Sequence, residues 1–490
     1  MSNPFQERLR LAAELLESIA KNRELLANVS EEDQRRLLRA AGEVFEPDDT
    51  SRRRLIKAMR RHHKARKTER EEVTLAQTGI RKLRSQALFT TPNVFPPADF
   101  EQSDIEDPDF REATEPQHCY VCKQTYSAIH HFYDQLCPPC AEFNFMKRTE
   151  SADLRGRVAL LTGGRVKIGY QAGIKLLRAG ATLIVTTRFP RDSAARYASE
   201  PDFDDWGSRL EIFGLDLRHT PSVEAFCRQL LSTRDRLDFI VNNACQTVRR
   251  PPEFYQHMME GETASVHSLP AKVQKLLGSY QGLRGYNILP VSPAELSQVP
   301  LLPEELAAQN ALFPQGRLDQ DLQQVDLRER NSWRLLMAEV SSVELLEVHL
   351  VNAVAPFIIN ARLKPLMLRT PERDKHIVNV SAVEGQFYRR FKTTRHPHTN
   401  MAKAALNMMT RTSATDYHAD GIHMNAVDTG WVTDEDPGTI ASRKVAEHRF
   451  HPPLDIVDGA ARIVDPILSG FNTGVHMWGQ FLRNYRPTDW

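Results

Sequence analysis

Apolar and polar positions run in two rhythms along this chain, and the clearest change of rhythm lies between Val158 and Arg188. Val158-Ala159-Leu160-Leu161 is an unbroken apolar run closed by Thr162, the pattern of a strand buried on both faces. Gly163, Gly164 and Gly169 follow, and then Ile168, Ala172, Ile174, Leu176 and Leu177 recur at helical spacing until Gly180. Leu183-Ile184-Val185 is a second apolar strand, with Arg188 just past its end. Strand, glycine-rich turn, helix and strand predict the first unit of a dinucleotide-binding fold. The glycines let the backbone approach a pyrophosphate, and the helix N-terminus offers free N–H groups and the positive end of its dipole.

The alternation continues towards the C-terminus. Apolar strands are expected over 210–217, 237–244 and 376–381, with helices over 222–231 and 343–359. This predicts an α/β fold over 154–490, a Rossmann-type doubly wound parallel sheet. One stretch, 246–339, breaks the rhythm; it is rich in Pro, Gln, Glu and Leu, carries no strand signal and reads as a large, mostly helical insertion. It leaves the sheet at residues 243–244, at the carboxyl end of a strand, so it is expected to cover the mouth of the site.

Ahead of this region the pattern differs. Residues 1–72 read as a separate helical region, with Leu9, Leu15, Leu16 and Ile19 at helical spacing and a helix start at Ser30-Glu31-Glu32-Asp33. Residues 51–70 are strongly basic. They read either as a phosphate-contacting helix, for a nucleic-acid or protein partner, or as a solvated face paired with acids elsewhere. Residues 73–115 read as a linker, since 90–117 mixes prolines and acids with isolated aromatics.

Cysteine usage adds one element to this picture. Cys119 and Cys122 form one C-x-x-C pair and Cys137 and Cys140 another, with fourteen residues between the pairs. Two such knuckles complete a tetrahedral shell for zinc, and four thiolates leave no position open for chemistry, so the metal would be structural. A redox C-x-x-C is the rival reading. Residues 116–146 are thus expected to be a small zinc module, too small to fold without its metal.

Charge and hydropathy exclude more than they identify. A net charge of +1 over 490 residues gives no global attraction to nucleic acid or membrane. With no unbroken run of 18 apolar residues and a charged first segment, neither a transmembrane helix nor a signal peptide is expected, and the cytoplasm is the default compartment.

The region 154–490 resembles the short-chain dehydrogenase/reductase (SDR) superfamily. Thr162–Gly169 (TGGRVKIG) matches that family's TGxxxGxG cofactor loop, with Lys167 at the place of the middle glycine. Asp216-Leu217 matches the acidic pair at the adenine ring, and Asn242-Asn243-Ala244-Cys245 matches NNAG with Cys245 for the glycine. The resemblance assigns Asn352 as the helix asparagine, Ser381 as the catalytic serine and Lys403 as the catalytic lysine. Thr429-Gly430 replaces Pro-Gly, and Thr433 stands where the family contacts the nicotinamide amide. The cofactor-binding set implied is Thr162, Gly163, Gly164, Arg165, Lys167, Ile168, Gly169, Arg188, Asp216, Leu217, Asn243, Ala244, Lys403, Gly430 and Thr433. A homo-oligomer, as in many SDR proteins, is also implied.

One departure stands out. The family places a tyrosine four residues before the lysine, and here that residue is Thr399. A threonine hydroxyl is far too weak an acid to pass a proton at neutral pH. Tyr388, His396 and His398 are candidate replacements, with bland alternatives as packing or helix-capping residues. Two functions therefore compete. One is an oxidoreductase acting on the carbonyl or alcohol of a small-molecule substrate. The other is a catalytically altered nucleotide-binding scaffold that docks partners through its zinc module and N-terminal helices. Cofactor choice reads more sharply. The end of the second strand carries Thr187 and Arg188 with Arg191 close behind, Arg165 and Lys167 lie in the glycine loop, and no acid is present to hold a ribose 2′-hydroxyl. This favours NADP(H) over NAD(H).

Overall fold

The computed structural model describes residues 4–45, 49–85, 112–277, 292–306, 311–314, 316–319, 323–387, 392–433, 435 and 451–490. The chain divides into two compact units, Met1–Thr74 and Leu75–Trp490. In the first, Pro4–Lys21 and Glu31–Phe45 are helices without a buried residue, and a third helix begins at Asp49. Ser30 starts the second helix as its sequence suggests, its Oγ accepting from the Asp33 N–H at 3.2 Å.

The second unit is built on an eight-stranded sheet of order β10-β9-β8-β7-β6-β3-β4-β5. Its strands are β3 (Val158–Thr162), β4 (Thr182–Thr187), β5 (Leu210–Gly214), β6 (Phe239–Asn242), β7 (Lys375–Ser381), β8 (Ile422–Asp428), β9 (Phe481–Arg483) and β10 (Arg486–Thr488). All neighbours pair in parallel except β9 and β10. The apolar runs belong to strands covered on both faces. Leu160 and Ile184 point to the side packed by the helices Thr220–Thr233 and Ala355–Met367. Leu161 and Val185 point to the side packed by Lys167–Arg178 and Ile456–Thr473. The strand order reverses between β3 and β6, which opens a crevice at their carboxyl ends. Ser342–Met367 is the one described helix long and apolar enough to cross a membrane; here its Ala355, Ile359 and Leu363 are core residues against the sheet.

The insertion is helical in short pieces, the longest described being Gln256–Thr263. The stretch read as linker differs from that reading where it is described. Gly79–Ser85 is a helix whose Gly79 and Ile80 N–H groups donate to the carbonyls of His131 and Phe132 at 2.9 Å. Ile80 is fully buried there, an apolar anchor that the surrounding polar residues hide in the sequence. Residues 86–111 lie outside the described residues.

β1 (Glu112–His118) and β2 (Thr125–Ala128) pair as an antiparallel hairpin, followed by the helix Pro138–Thr149. This cysteine-bearing module shares a core with the segments that follow β8: Tyr126, Phe132, Tyr133 and Leu136 pack with Val432 and Leu454. Arg148 closes the contact with two hydrogen bonds to Asp455, at 2.6 and 2.9 Å, and Tyr133 donates to Asp458.

Candidate active site and metal centre

The glycine loop folds back against the end of β6. Gly163 has φ +69°, and a Cβ there would sit 2.8 Å from Ala244 Cα. A Cβ on Gly169 would collide with Asn243 Nδ2 and the Gly163 carbonyl. Only glycine permits both approaches. Lys167, at the place of the family's middle glycine, keeps a left-handed φ of +55° at the first residue of the helix Lys167–Arg178. A non-glycine residue there carries backbone strain that a functional loop retains.

A cleft opens above this loop. Gly163, Arg165, Lys167, Ile168, Gly169, Arg188, Asp216, Leu217, Asn243, Ala244 and Thr433 all line it. Arg188 is held by the insertion: its Nη2 donates to the Tyr255 hydroxyl at 2.7 Å, and its guanidinium lies 4.6 Å from the centre of the Tyr255 ring. Arg165 is already paired, Nη1 to Asp192 Oδ2 at 2.7 Å, and Arg191 donates to the carbonyls of Gly261 and Ala264 instead of facing the cleft. Asp216 is bound by Arg218, which reaches on to Glu347 at 2.8 Å. Burial alone would raise the Asp216 carboxyl, but Arg218 overrides it and holds it below the ordinary carboxylate range.

Two residues of the expected cofactor set lie beneath the cleft. Thr162 is buried with its Oγ1 accepting from the Ala244 N–H at 3.1 Å, and Gly164 is buried against Val185. They shape the loop without lining it.

A second cavity adjoins the cleft, and Ile168, Asn243, Cys245, Thr247, Thr433 and Glu435 border both. Ser381, Thr399, Lys403 and Gly430 line this second cavity. The Ser381 and Thr399 hydroxyls are buried without a hydrogen-bond partner among the described residues, which leaves both for a bound molecule. Lys403 Nζ donates to the Val380 carbonyl at 2.8 Å. Asn352 sits on a π-helical turn, Leu350–Val354, and its side chain clamps Gln246, accepting from the N–H at 2.8 Å and donating to the carbonyl at 3.3 Å. It positions the end of β6 and does not face the cavity.

Of the proposed proton donors, His398 points elsewhere: it is buried with Nε2 3.3 Å from Glu344 Oε1. The helix Pro397–Ala419 turns it away, because residues 398 and 399 lie on different faces of a helix. His396 does line the cavity, its ring stacked on Trp333 at 3.9 Å, and burial lowers its pKa. Tyr388 lies outside the described residues.

The sequence reading passes over three residues. Tyr255 arrives from the insertion, which carries no motif, and Tyr120 stands inside the Cys119–Cys122 pair, where the motif speaks only for the cysteines. Asp428 directly precedes Thr429-Gly430, but only the β7–β8 register shows what it lies beside.

The four cysteine sulfurs converge within 4.8 Å of one another, with Cys122 and Cys137 Sγ 3.6 Å apart. Tetrahedral zinc with bonds of about 2.3 Å requires sulfurs about 3.8 Å apart, so the donor set fits that ion. Lys123 closes the first knuckle with φ +65°, and Cys137 precedes the helix that carries Cys140.

Residues 157–266 match the family model described as short chain dehydrogenase, and 331–452 match the one described as enoyl-(acyl carrier protein) reductase. An uncharacterized protein, R665, of Acanthamoeba polyphaga mimivirus is 31% identical over 360 residues, covering 71% of each chain. The chain belongs to the short-chain dehydrogenase/reductase superfamily. Bovine dehydrogenase/reductase SDR family member 13 is 31% identical over 118 residues, 23% of this chain and 29% of that protein. A fatty acyl-CoA reductase of Acinetobacter baylyi is 28% identical over 98 residues, 20% of this chain and 32% of that protein. This SDR chain thus spans about a third or less of those two named relatives. A solved short chain dehydrogenase from Burkholderia cenocepacia in complex with NADP shares 16% identity at a TM-score of 0.42, covering 67% of this chain and 96% of that one. The two matched segments of this SDR protein bracket most of the insertion and stop short of the cysteine module.

Proposed function

We propose that this SDR protein is an NADP-dependent oxidoreductase that interconverts a carbonyl and an alcohol on a small-molecule substrate. The observation that carries the reading is Arg188. Its guanidinium lines the cleft at the end of β4, where an NAD-binding chain needs an acid, and Tyr255 holds it in place. The loop 163–169 and the N-terminus of the helix Lys167–Arg178 suit a pyrophosphate. Bound in the cleft, the nicotinamide would supply hydride chemistry. In the adjoining cavity Ser381 would donate its hydroxyl hydrogen bond to the substrate oxygen, and Lys403 would place positive charge beside it. Retention of two partnerless buried hydroxyls there favours an enzyme over a scaffold, since each is costly without a ligand.

We assign a structural zinc to Cys119, Cys122, Cys137 and Cys140. Titration of the purified protein with NADPH and NADH, followed by fluorescence or calorimetry, tests the cofactor. The expected result is tighter binding of NADPH, and equal affinity would remove Arg188 as the phosphate ligand.

A further inference from the structure

With threonine at the place of the family's tyrosine, the cavity needs another group to move a proton, and one cavity-lining side chain is placed to do it. Asp428 ends β8 as Ser381 ends β7, and the two are in-register partners of a parallel pair. In-register residues of adjacent strands point to the same face, with the strands about 4.8 Å apart. Both line the substrate cavity with Thr399 and Lys403. We propose that Asp428 is the proton-transfer residue of this cavity, giving its proton to the substrate oxygen in reduction and accepting it in oxidation.

The surroundings suit the role. Asp428 is buried, and the cation paired with it among the described residues, Arg483, keeps its Nε 3.8 Å from Oδ2, beyond a hydrogen bond. Oδ1 accepts a single 3.2 Å hydrogen bond from the Val383 N–H, which fixes the carboxyl and leaves it room to donate. The charged and titratable groups around it are Glu384 after β7, Arg483 on β9, Arg462 on the helix Ile456–Thr473, Tyr120 from the cysteine module and Lys403 across the cavity. Burial first, and Glu384 next, push the carboxyl up to about 6 against the opposing pull of Arg483 and Arg462. A general acid works best with a pKa near the operating pH.

The step balances. The carbonyl carbon gains a hydride from reduced nicotinamide while the C=O π pair moves onto oxygen. The Asp428 O–H bond breaks as the new O–H bond forms. Alcohol, oxidised nicotinamide and the Asp428 carboxylate result, and solvent returns the proton.

The proposal rests on the oxidoreductase reading, and its test separates the two. A panel of aldehydes and ketones is first screened with NADPH, and the best substrate is carried into the variants. Wild-type kcat for reduction should fall as pH rises above about 6, and the same pKa should appear as a carboxyl titration by ¹³C NMR in the cofactor-free protein. Asp428→Asn should lose about 10²–10⁴-fold in kcat, lose that pH limb and that titration, and keep NADPH affinity. Asp428→Glu should recover part of the rate and a shifted limb. No hydride transfer by the wild type overturns the oxidoreductase reading and this proposal with it. Hydride transfer that survives in Asp428→Asn with its pH limb intact, or a limb that vanishes instead in Tyr120→Phe or His396→Gln, overturns the proposal alone.

Discussion

The Arg188 guanidinium and the Tyr255 phenol, 67 residues apart in sequence, meet through a 2.7 Å hydrogen bond at the edge of the cofactor cleft. The insertion therefore lines the cleft proposed for the cofactor. Arg188→Ala should weaken NADPH binding by about 1.5–3 kcal/mol, the range for a hydrogen bond to a charged group, and leave NADH nearly unchanged. Tyr255→Phe should cost less and act in the same direction. Calorimetric titration with each cofactor measures both.

The cavity hydroxyls make a graded prediction. Thr399→Val removes a hydroxyl that cannot serve as a neutral-pH acid, so turnover should fall within about tenfold. Lys403→Ala removes the positive charge beside Ser381 and should abolish turnover. His398→Ala should act on stability, because it takes away the imidazole that faces the buried Glu344 Oε1, at a cost of about 1–3 kcal/mol. Steady-state rates beside thermal melts separate the three.

The Rossmann half of this account was legible from the sequence because its strands are buried on both faces and so write unbroken apolar runs. Val158 to Leu161 and Leu183 to Val185 are instances. The glycines of the cofactor loop were legible for a different reason: their backbone approaches exclude a Cβ. What side chains do in space was hidden. Arg165 reads as a phosphate ligand until Asp192 is seen to hold it, and His398 reads as a donor until the helix turns it to Glu344. Asn352 follows the family's spacing yet spends its amide on Gln246. β9 and β10 are three residues each, too short to show a period.

Zinc should be structural and yet felt at the substrate cavity. Tyr120, next to Cys119, accepts a 2.9 Å hydrogen bond from the Trp431 N–H, and both residues line that cavity. Purified protein should hold about one zinc per chain by elemental analysis. Chelation or Cys119→Ser should lower thermal stability and raise KM for the carbonyl, with NADPH affinity retained.

A histidine cluster at the far end of the sheet should make the protein acid-labile. His376 Nε2 lies 2.9 Å from His476 Nδ1, and the His423 and His476 rings stack at 5.0 Å. Burial first, and mutual repulsion next, lower the pKa of His376 well below its ordinary value. The unfolded chain then binds protons below about pH 6.5 that the folded chain refuses, so stability is lost as pH falls from there. His376→Asn should flatten that loss in melts taken between about pH 5 and pH 7.5.

The central claim is hydride transfer from NADPH. Protein incubated with NADPH deuterated at the transferable position and a panel of aldehydes and ketones, followed by mass spectrometry of the products, tests it most directly. The account predicts a product alcohol carrying one deuterium, formed faster with NADPH than with NADH. NADPH binding without deuterium in any product would contradict it and leave a nucleotide-binding scaffold.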